Sequence, residues 1–387
     1  MSKPTWIVGD WATGRMLYEI PEPAKGTTFS GDMRGSSATL VLDPREPSHR
    51  RLREHLRADM TRYVAAIGST AAQPLVALAG GPILLHTADN DGWRWDVGGP
   101  DSYPDRRLLI APQDVKPTLD AEQPVYHLRG TWRQIANQAL ALLPRAGRTM
   151  PRMAVTVGEL AGGGYHEIDV PAVDLESFGA LLDKVNRRAD GVETRFLPWW
   201  EGDTLEDGYF RTEIGVGQDD DPYVAGPARI PLTIGAHDGT VEVTSWAEDG
   251  SGRGTSSWVS GGRGSDQVII QSWADWSALN AGVPPLDVVD TSAPNDSDRE
   301  ALGWRAADLL ADAIVPLTEV GLRVRVGGVP DPWSFGAGSW VDLLALPSQD
   351  VVPAGRHQMR VVSRSWAASD PEWATYRLVG VRPMERW

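Results

Sequence analysis

The 387-residue chain carries a formal net charge of −15, is 41% apolar, and contains no cysteine. The acidic balance argues against a cationic grip on nucleic acid, which must displace counterions from phosphates. The missing thiols exclude disulfides, thiolate nucleophiles and cysteine-ligated metal centres. Two or three domains are expected at this length, and 41 Gly and 29 Pro scattered without period favour short strands joined by turns. The expectation is a mainly β (α+β) chain.

The N-terminus, MSKPTWIVGDW, has no apolar h-region, so no secretory signal is expected. TWIVGD, the turn WATG and RMLYEIP read as a hairpin with Gly14 in the turn. GSSATLVLD (35–43) reads as a strand, and the charged REPSHRRLREHLRADM as a short helix or a solvated loop. RYVAAIG, PLVALAG, PILLHT, GWRWDVG and RRLLIAP follow at even spacing, as in a barrel or sandwich closing near residue 125. The longest apolar run, around PLVALAGGPILL, is too short for the roughly 20 residues a bilayer span needs. A soluble protein made in a cytoplasm is expected.

Next, the period changes. In TWRQIANQALALL, Ile135, Ala139, Leu140 and Leu143 fall on one helical stripe with Thr131 as N-cap. DLESFGALLDKVNRR repeats this with Leu175, Phe178, Leu182 and Val185, capped by Asp174. With the strands VETRFLPWW and YFRTEIGVG, a small α/β domain over 129–222 is expected, between β domains at 1–128 and 223–387. The last domain holds eight strand candidates and one helix, SDREALGWRAADLLADA. That helix opens on a Ser297-x-x-Glu300 capping box and carries the stripe Leu302, Ala306, Leu309, Leu310 and Ala313.

Four features suggest chemistry. SSWVSGGRGSDQVIIQSW (256–273) is a glycine-rich loop, but a phosphate loop needs a following helix, and both flanks read as strands. VVDTSAP is similar to an aspartic-protease signature at Asp290, yet that reaction needs two carboxylates, and only a homodimer would supply the second. Trp199 and Trp200 beside Glu201 and Asp203 suggest glycan binding or a glycosidase pair. Against this, most Trp lie in strand patterns, five of them after a Ser (Trp246, Trp258, Trp273, Trp340, Trp366), as half-buried barrel positions do. DNDG (89–92), QDDDP (218–222) and NDSD (295–298) lack the full calcium loop. The seven His show no metal-ligand spacing. No catalytic, cofactor-binding or metal-binding residue is assigned.

The order of segments resembles the hub-type minor tail proteins (baseplate hub and tail-associated proteins) of long-tailed phages of actinobacteria. WIVGDWATGRMLYEIP is similar to the opening of that family, FSGDMRGSSATLVL to its next strand pair, and GGPILLHT with WDVGGPDSYPDRRLL to the end of its first domain. LRGTWRQIANQALAL resembles its middle-domain helix, and SSWVSGGRGSDQVIIQSW with PPLDVVDTSAPNDSDREALGWRAADLLA its last domain. The stretch Arg45–Met60 looks like an insertion. The resemblance implies a baseplate-hub-like fold and a non-enzymatic homotrimer in the virion. Such a ring joins the sixfold tail tube or distal tail protein ring to a threefold tip. It surrounds the tape measure protein, meets other minor tail proteins, and passes DNA without specific binding. It implies no cofactor and no membrane anchor. A receptor- or glycan-binding tip protein is the alternative, and a cell-wall hydrolase a weaker one.

Overall fold

A continuous apolar run, Trp6-Ile7-Val8, buries the first strand, β1 (Thr5–Asp10), which pairs antiparallel with the more exposed β2 (Met16–Ile20) across the expected turn. Gly14 sits there at φ +72°, and a side chain would start 2.0 Å from the Phe210 carbonyl oxygen, so the position admits only glycine. The computed structural model describes residues 3–88, 92–109, 124–143, 153–155, 166–186, 191–218, 223–224, 229–236, 239–262, 268–291, 299–314 and 317–380.

β3 (Thr28–Asp32) and β4 (Ser36–Leu42) follow, then the short helix α1 (Pro47–Leu52) in the charged stretch. β5 (Arg62–Gly68), β6 (Val76–Ala88) and β7 (Trp93–Val97) complete the first segment. PLVALAG and PILLHT are one continuous strand, not two. Gly80 and Gly81 do not turn the chain. They admit close neighbours, since a Cβ would lie 2.7 Å from the Ala65 Cβ at Gly80 and 2.2 Å from the Gly98 oxygen at Gly81. RRLLIAP is not a strand where described; Leu108 makes only an isolated bridge to Ser177.

β8 (Val125–Gly130) pairs with β10 (His166–Pro171), and β9 (Met153–Val155) joins β12 (Tyr209–Val216), which pairs with β11 (Thr194–Glu201). Helix α2 (Trp132–Leu142) has the Thr131 cap, completed into a capping box by Gln134, and buries Ile135, Ala139 and Leu140, with Leu143 just beyond. Helix α3 (Phe178–Asn186) starts later than expected: Leu175 is left-handed at φ +48° and exposed, and the Ser177 hydroxyl, not Asp174, accepts from the Ala180 amide. Both helices share one core with Phe196 and Ile214. Trp200 and Phe210 belong instead to a core with Ile7, Trp11, Tyr63 and Ala65 of the first strands.

The remaining elements are β13 (Ile230–Ile234), β14 (Val241–Asp249), β15 (Ser256–Gly261), β16 (Ile269–Ala274), α4 (Trp276–Asn280), β17 (Asp287–Asp290), α5 (Arg299–Ala313), β18 (Leu317–Arg325), β19 (Trp340–Ala345), β20 (Gly355–Ala367) and β21 (Trp373–Gly380). The chain is mostly β, with large antiparallel sheets. A 13-stranded sheet runs β14-β18-β21-β20-β3-β4-β7-β6-β5-β1-β2, with β19 joined to β20 and β13 to β19. The C-terminal strands therefore continue the N-terminal sheet through the β20–β3 pair, Trp366 opposite Phe29.

The chain forms two compact units. The first comprises Met1–Thr244 and Gly321–Leu378, and the second Ser245–Val320 with the end of the chain. The second contains a three-stranded sheet, β16-β15-β17, with α5 on one face. The expected stripe of α5 is the buried one: Leu302, Ala306, Leu310 and Ala313 are buried and Leu309 packs beside them. Ser297 of its expected capping box lies outside the described residues. Among the described residues no helix is long and apolar enough to cross a membrane.

Candidate functional site

The glycine-rich stretch is a strand pair. β15 and β16 run antiparallel from Ser256 opposite Ala274 to Gly261 opposite Ile269, and residues 263–267 between them lie outside the described residues. No helix follows the loop at the position a phosphate would require. β17 then adds to β15 in parallel, pairing Trp258 with Val289.

Side-chain alternation sorts this small sheet into two faces. Toward α5 point Ser257 and Val259; the Ser257 hydroxyl donates to the Ala306 carbonyl at 2.5 Å, and Val259 packs on Leu302 and Ala306. Asp290 lies on this side too, in a 2.6 Å ion pair with Arg305 of α5. Its carboxylate anchors a helix, whereas a protease dyad would set it against a second carboxylate.

The opposite face carries Trp258, Ile270 and Val289, exposed by 43, 59 and 66%. Asp287 crosses it, accepting from the Trp258 indole at 2.8 Å and from the Ser256 hydroxyl. These two hydrogen bonds lower the Asp287 pKa, so the face holds a fixed negative charge. Trp273, Trp276 and Trp304 of the same unit are also more than half exposed. Of the five Trp that follow a Ser, Trp258 and Trp273 are about half exposed and Trp246 and Trp340 intermediate, whereas Trp366 is buried between Phe29 and Trp6. Residue type and spacing do not encode which face of a three-stranded sheet receives a helix.

The other flagged residues are dispersed. Trp200 is buried with its indole donating to the Thr204 carbonyl, and Glu201 is held by Arg211 at 2.5 Å. Trp199 is partly exposed beneath the Arg211 guanidinium, and Asp203 is in an exposed turn. The carboxylates of DNDG and NDSD, and those of QDDDP, lie outside the described residues, as does His237. His49 is buried and accepts from the Asp43 amide, His86 stacks on Trp95, and His166 stacks on Trp132.

Tertiary structure does assemble one group that spacing hides. Across β8 and β10, His127 faces Asp169 at 2.6 Å and Arg129 faces Glu167, placing the ligand atoms of His127, Glu167 and Asp169 within 4.8 Å of one another. All three are exposed, and Arg129 already neutralises Glu167. Cross-strand charge pairing accounts for the arrangement. A shallow concavity of about 460 Å³ lies on the sheet of the first unit, lined by hydroxyls such as Ser30, Ser37 and Thr39 with Asp96 and Trp373.

No family model matches the sequence, and no curated protein sequence matches it. Solved structures do match, along nearly the whole chain. The 43 kDa tail protein of prophage MuSo2 from Shewanella oneidensis aligns with a TM-score of 0.55 at 12% identity, covering 99% of both chains. A tail protein from Neisseria meningitidis aligns at 0.53 and 14%, covering 97% of this chain and 96% of that one. A chain of the Francisella PdpA–VgrG complex aligns at 0.51 and 9%, over 98% of this chain and 52% of that one. The chain has the fold of prophage tail proteins.

Proposed function

We propose that this protein is a structural component of a phage tail tip, a hub whose copies form a threefold ring. The ring joins the sixfold tail tube or distal tail protein ring to the tip, encloses the end of the tape measure protein, and leaves a passage for DNA. The observation that carries this reading is the end-to-end likeness, 99% of each chain, to a prophage tail protein. The segment order supports the finer assignment to hub-type minor tail proteins, with 1–128, 129–222 and 223–387 as its three modules. Only four of the 37 basic residues are Lys, which fits a high-GC, actinobacterial host. The net charge of −15 suits a surface past which DNA slides without sticking. The role is non-enzymatic: Asp290 and Glu201, two of the three carboxylates that suggested chemistry, are each engaged by an arginine, and the third, Asp203, is in an exposed turn. The protein is assembled in the bacterial cytoplasm and resides at the distal tip of the virion.

Cryo-electron microscopy of tail tips tests the proposal. Three copies per tail at the tube end are expected, and one or six copies would overturn it. The exposed indoles of the second unit favour a second reading, a receptor- or glycan-binding tip protein. Retention of the purified chain on a glycan array would support that reading over the hub.

A further inference from the structure

Charge is segregated along this chain. Residues 245–320 contain twelve carboxylates against four arginines, with no Lys or His. Residues 45–62 run the other way, with six arginines against three carboxylates. Arg45 and Arg62 of that stretch are paired with Asp43 and Asp10. Arg50, Arg51, Arg53 and Arg57 are exposed, and no carboxylate is within ion-pair distance of them among the described residues.

Each charged region also carries apolar surface. Beside the arginines lies β2, the last strand on the path of the large sheet, with Leu17 and Tyr18 exposed by 40 and 42%. The Tyr18 ring packs against His55, with centroids 4.2 Å apart and planes tilted by 31°, which ties this edge to the arginine-bearing segment. In the acidic region the open face of β16-β15-β17 presents Trp258, Ile270 and Val289 around the ionised Asp287. The segment beside the first surface is net basic in sequence, with Glu19 of β2 exposed among its arginines, and the segment that holds the second is net acidic, with Asp287 on the open face itself.

We infer that these two surfaces meet between copies: the open face of β16-β15-β17 in one copy docks on the arginine-rich β2 edge of a second copy of this chain. Opposite charge selects this pairing, because the acidic face against itself, or the arginines against themselves, would juxtapose like charges. A guanidinium also stacks well on an indole, and the Trp258 ring is fixed in place by its bond to Asp287. The contact is heterologous: each copy offers one surface of each kind, so the interaction repeats from copy to copy. The inference deepens the hub reading and rests on it for self-association.

Sedimentation velocity of the full chain tests the contact, with charge reversal on each side. Wild type should associate, less so in high salt. Arg51→Glu with Arg53→Glu should weaken association by more than about tenfold, and Ile270→Arg with Val289→Arg should do the same. An equimolar mixture of the two variants should recover association, because the intact acidic face of the first variant meets the intact arginines of the second. A monomeric wild type at tens of micromolar would overturn the inference, as would variants that associate like wild type or a mixture that recovers nothing.

The cysteine-free sequence supplies an independent route should a charge variant misfold. Tyr18→Cys with Ile270→Cys in one chain, treated with a short bis-maleimide, should give a ladder of multimers. Ile270→Cys alone should give none. A dimer from Ile270→Cys alone would mean that the face meets itself, and the contact would be wrong. Three copies per tail with unaffected variants would retain the hub and discard this contact, whereas one or six copies would discard the hub itself.

Discussion

Arg364 and Leu78 lie 286 residues apart in sequence, and the Arg364 Nη2 donates to the Leu78 carbonyl at 2.9 Å. The same guanidinium reaches the Phe335 carbonyl through Nη1 at 2.9 Å, so one buried cation joins β20, β6 and the loop before β19. Arg195 and Arg360 extend the arrangement. They donate to the neighbouring carbonyls of Ala337 and Gly338, and Arg360 pairs with Glu193 at 2.6 Å. Three arginines thus hold one loop, and they connect the C-terminal strands to the N-terminal sheet and to β11.

Replacing Arg364 by Met keeps the volume and leaves the Leu78 and Phe335 carbonyls without these donors. Each unsatisfied buried acceptor costs about 1–3 kcal/mol, and removal of the buried charge also ends its own desolvation cost. The expected result is a net loss of about 2–4 kcal/mol, read as a lowered Tm. Arg364→Lys should recover little, because an ammonium cannot span two carbonyls as the planar fork does. A Lys variant as stable as wild type would refute this role.

The half-buried carboxylates around Arg34 show the opposite pH behaviour from ordinary acid lability. Arg34 is surrounded by Asp105 at 2.5 Å, Asp183 at 3.1 Å and Asp101 at 3.8 Å. Burial, then the charge of Asp105, raises the Asp101 pKa; burial likewise raises that of Asp105. A raised carboxyl binds protons more readily folded than unfolded, so its cost to the fold is present at neutral pH and is relieved as pH falls through its folded pKa. Asp101→Asn should therefore raise the Tm at pH 7. The gain should shrink on acidification and vanish below the ordinary value of 3.8, where the carboxyl is neutral in both states. Thermal melts of the two proteins from pH 7 to pH 3.5 read the difference, and a constant offset would contradict it.

Local signals in the sequence carried the helices, and they did so unevenly. Thr131, Gln134 and the stripe after them describe α2 correctly, because cap, box and period agree within one segment. Before α3 two capping residues lie three apart, and nothing local ranks Asp174 against Ser177; the left-handed Leu175 decides it. Ser177→Ala should thus cost about 1 kcal/mol and Asp174→Ala about nothing, a contrast that urea titration resolves.

What the sequence hid is tertiary. Gly-Gly-Pro at 80–82 has turn composition, yet its glycines serve close approach within one long strand. Strand periodicity marks two faces of β15 without saying which one α5 covers, so it does not reveal that Trp258 faces away from the helix. Histidine spacing was uninformative about His127, Glu167 and Asp169, since 42 residues separate His127 from its cross-strand partner Asp169. The mainly β fold was legible from composition and from segment order.

Asp290 offers the last test, because its two readings differ in outcome. As a catalytic carboxylate it would be needed for hydrolysis and dispensable for folding. As found, it pairs with Arg305 at 2.6 Å, both side chains being about one-fifth exposed, and so ties β17 to α5. Substitution by Asn removes the charge and keeps the shape. Partial exposure places the loss between that of a surface pair and a buried one, about 1–3 kcal/mol. The loss should be confined to the second unit, whose small sheet has a single covering helix among the described residues. Amide exchange in α5 and β15 of Asp290→Asn should accelerate by about tenfold or more, while exchange in β5 and β6 stays at the wild-type rate. Arg305→Gln should copy the effect. Unchanged exchange in α5, together with loss of a cell-wall-degrading activity, would restore the catalytic reading.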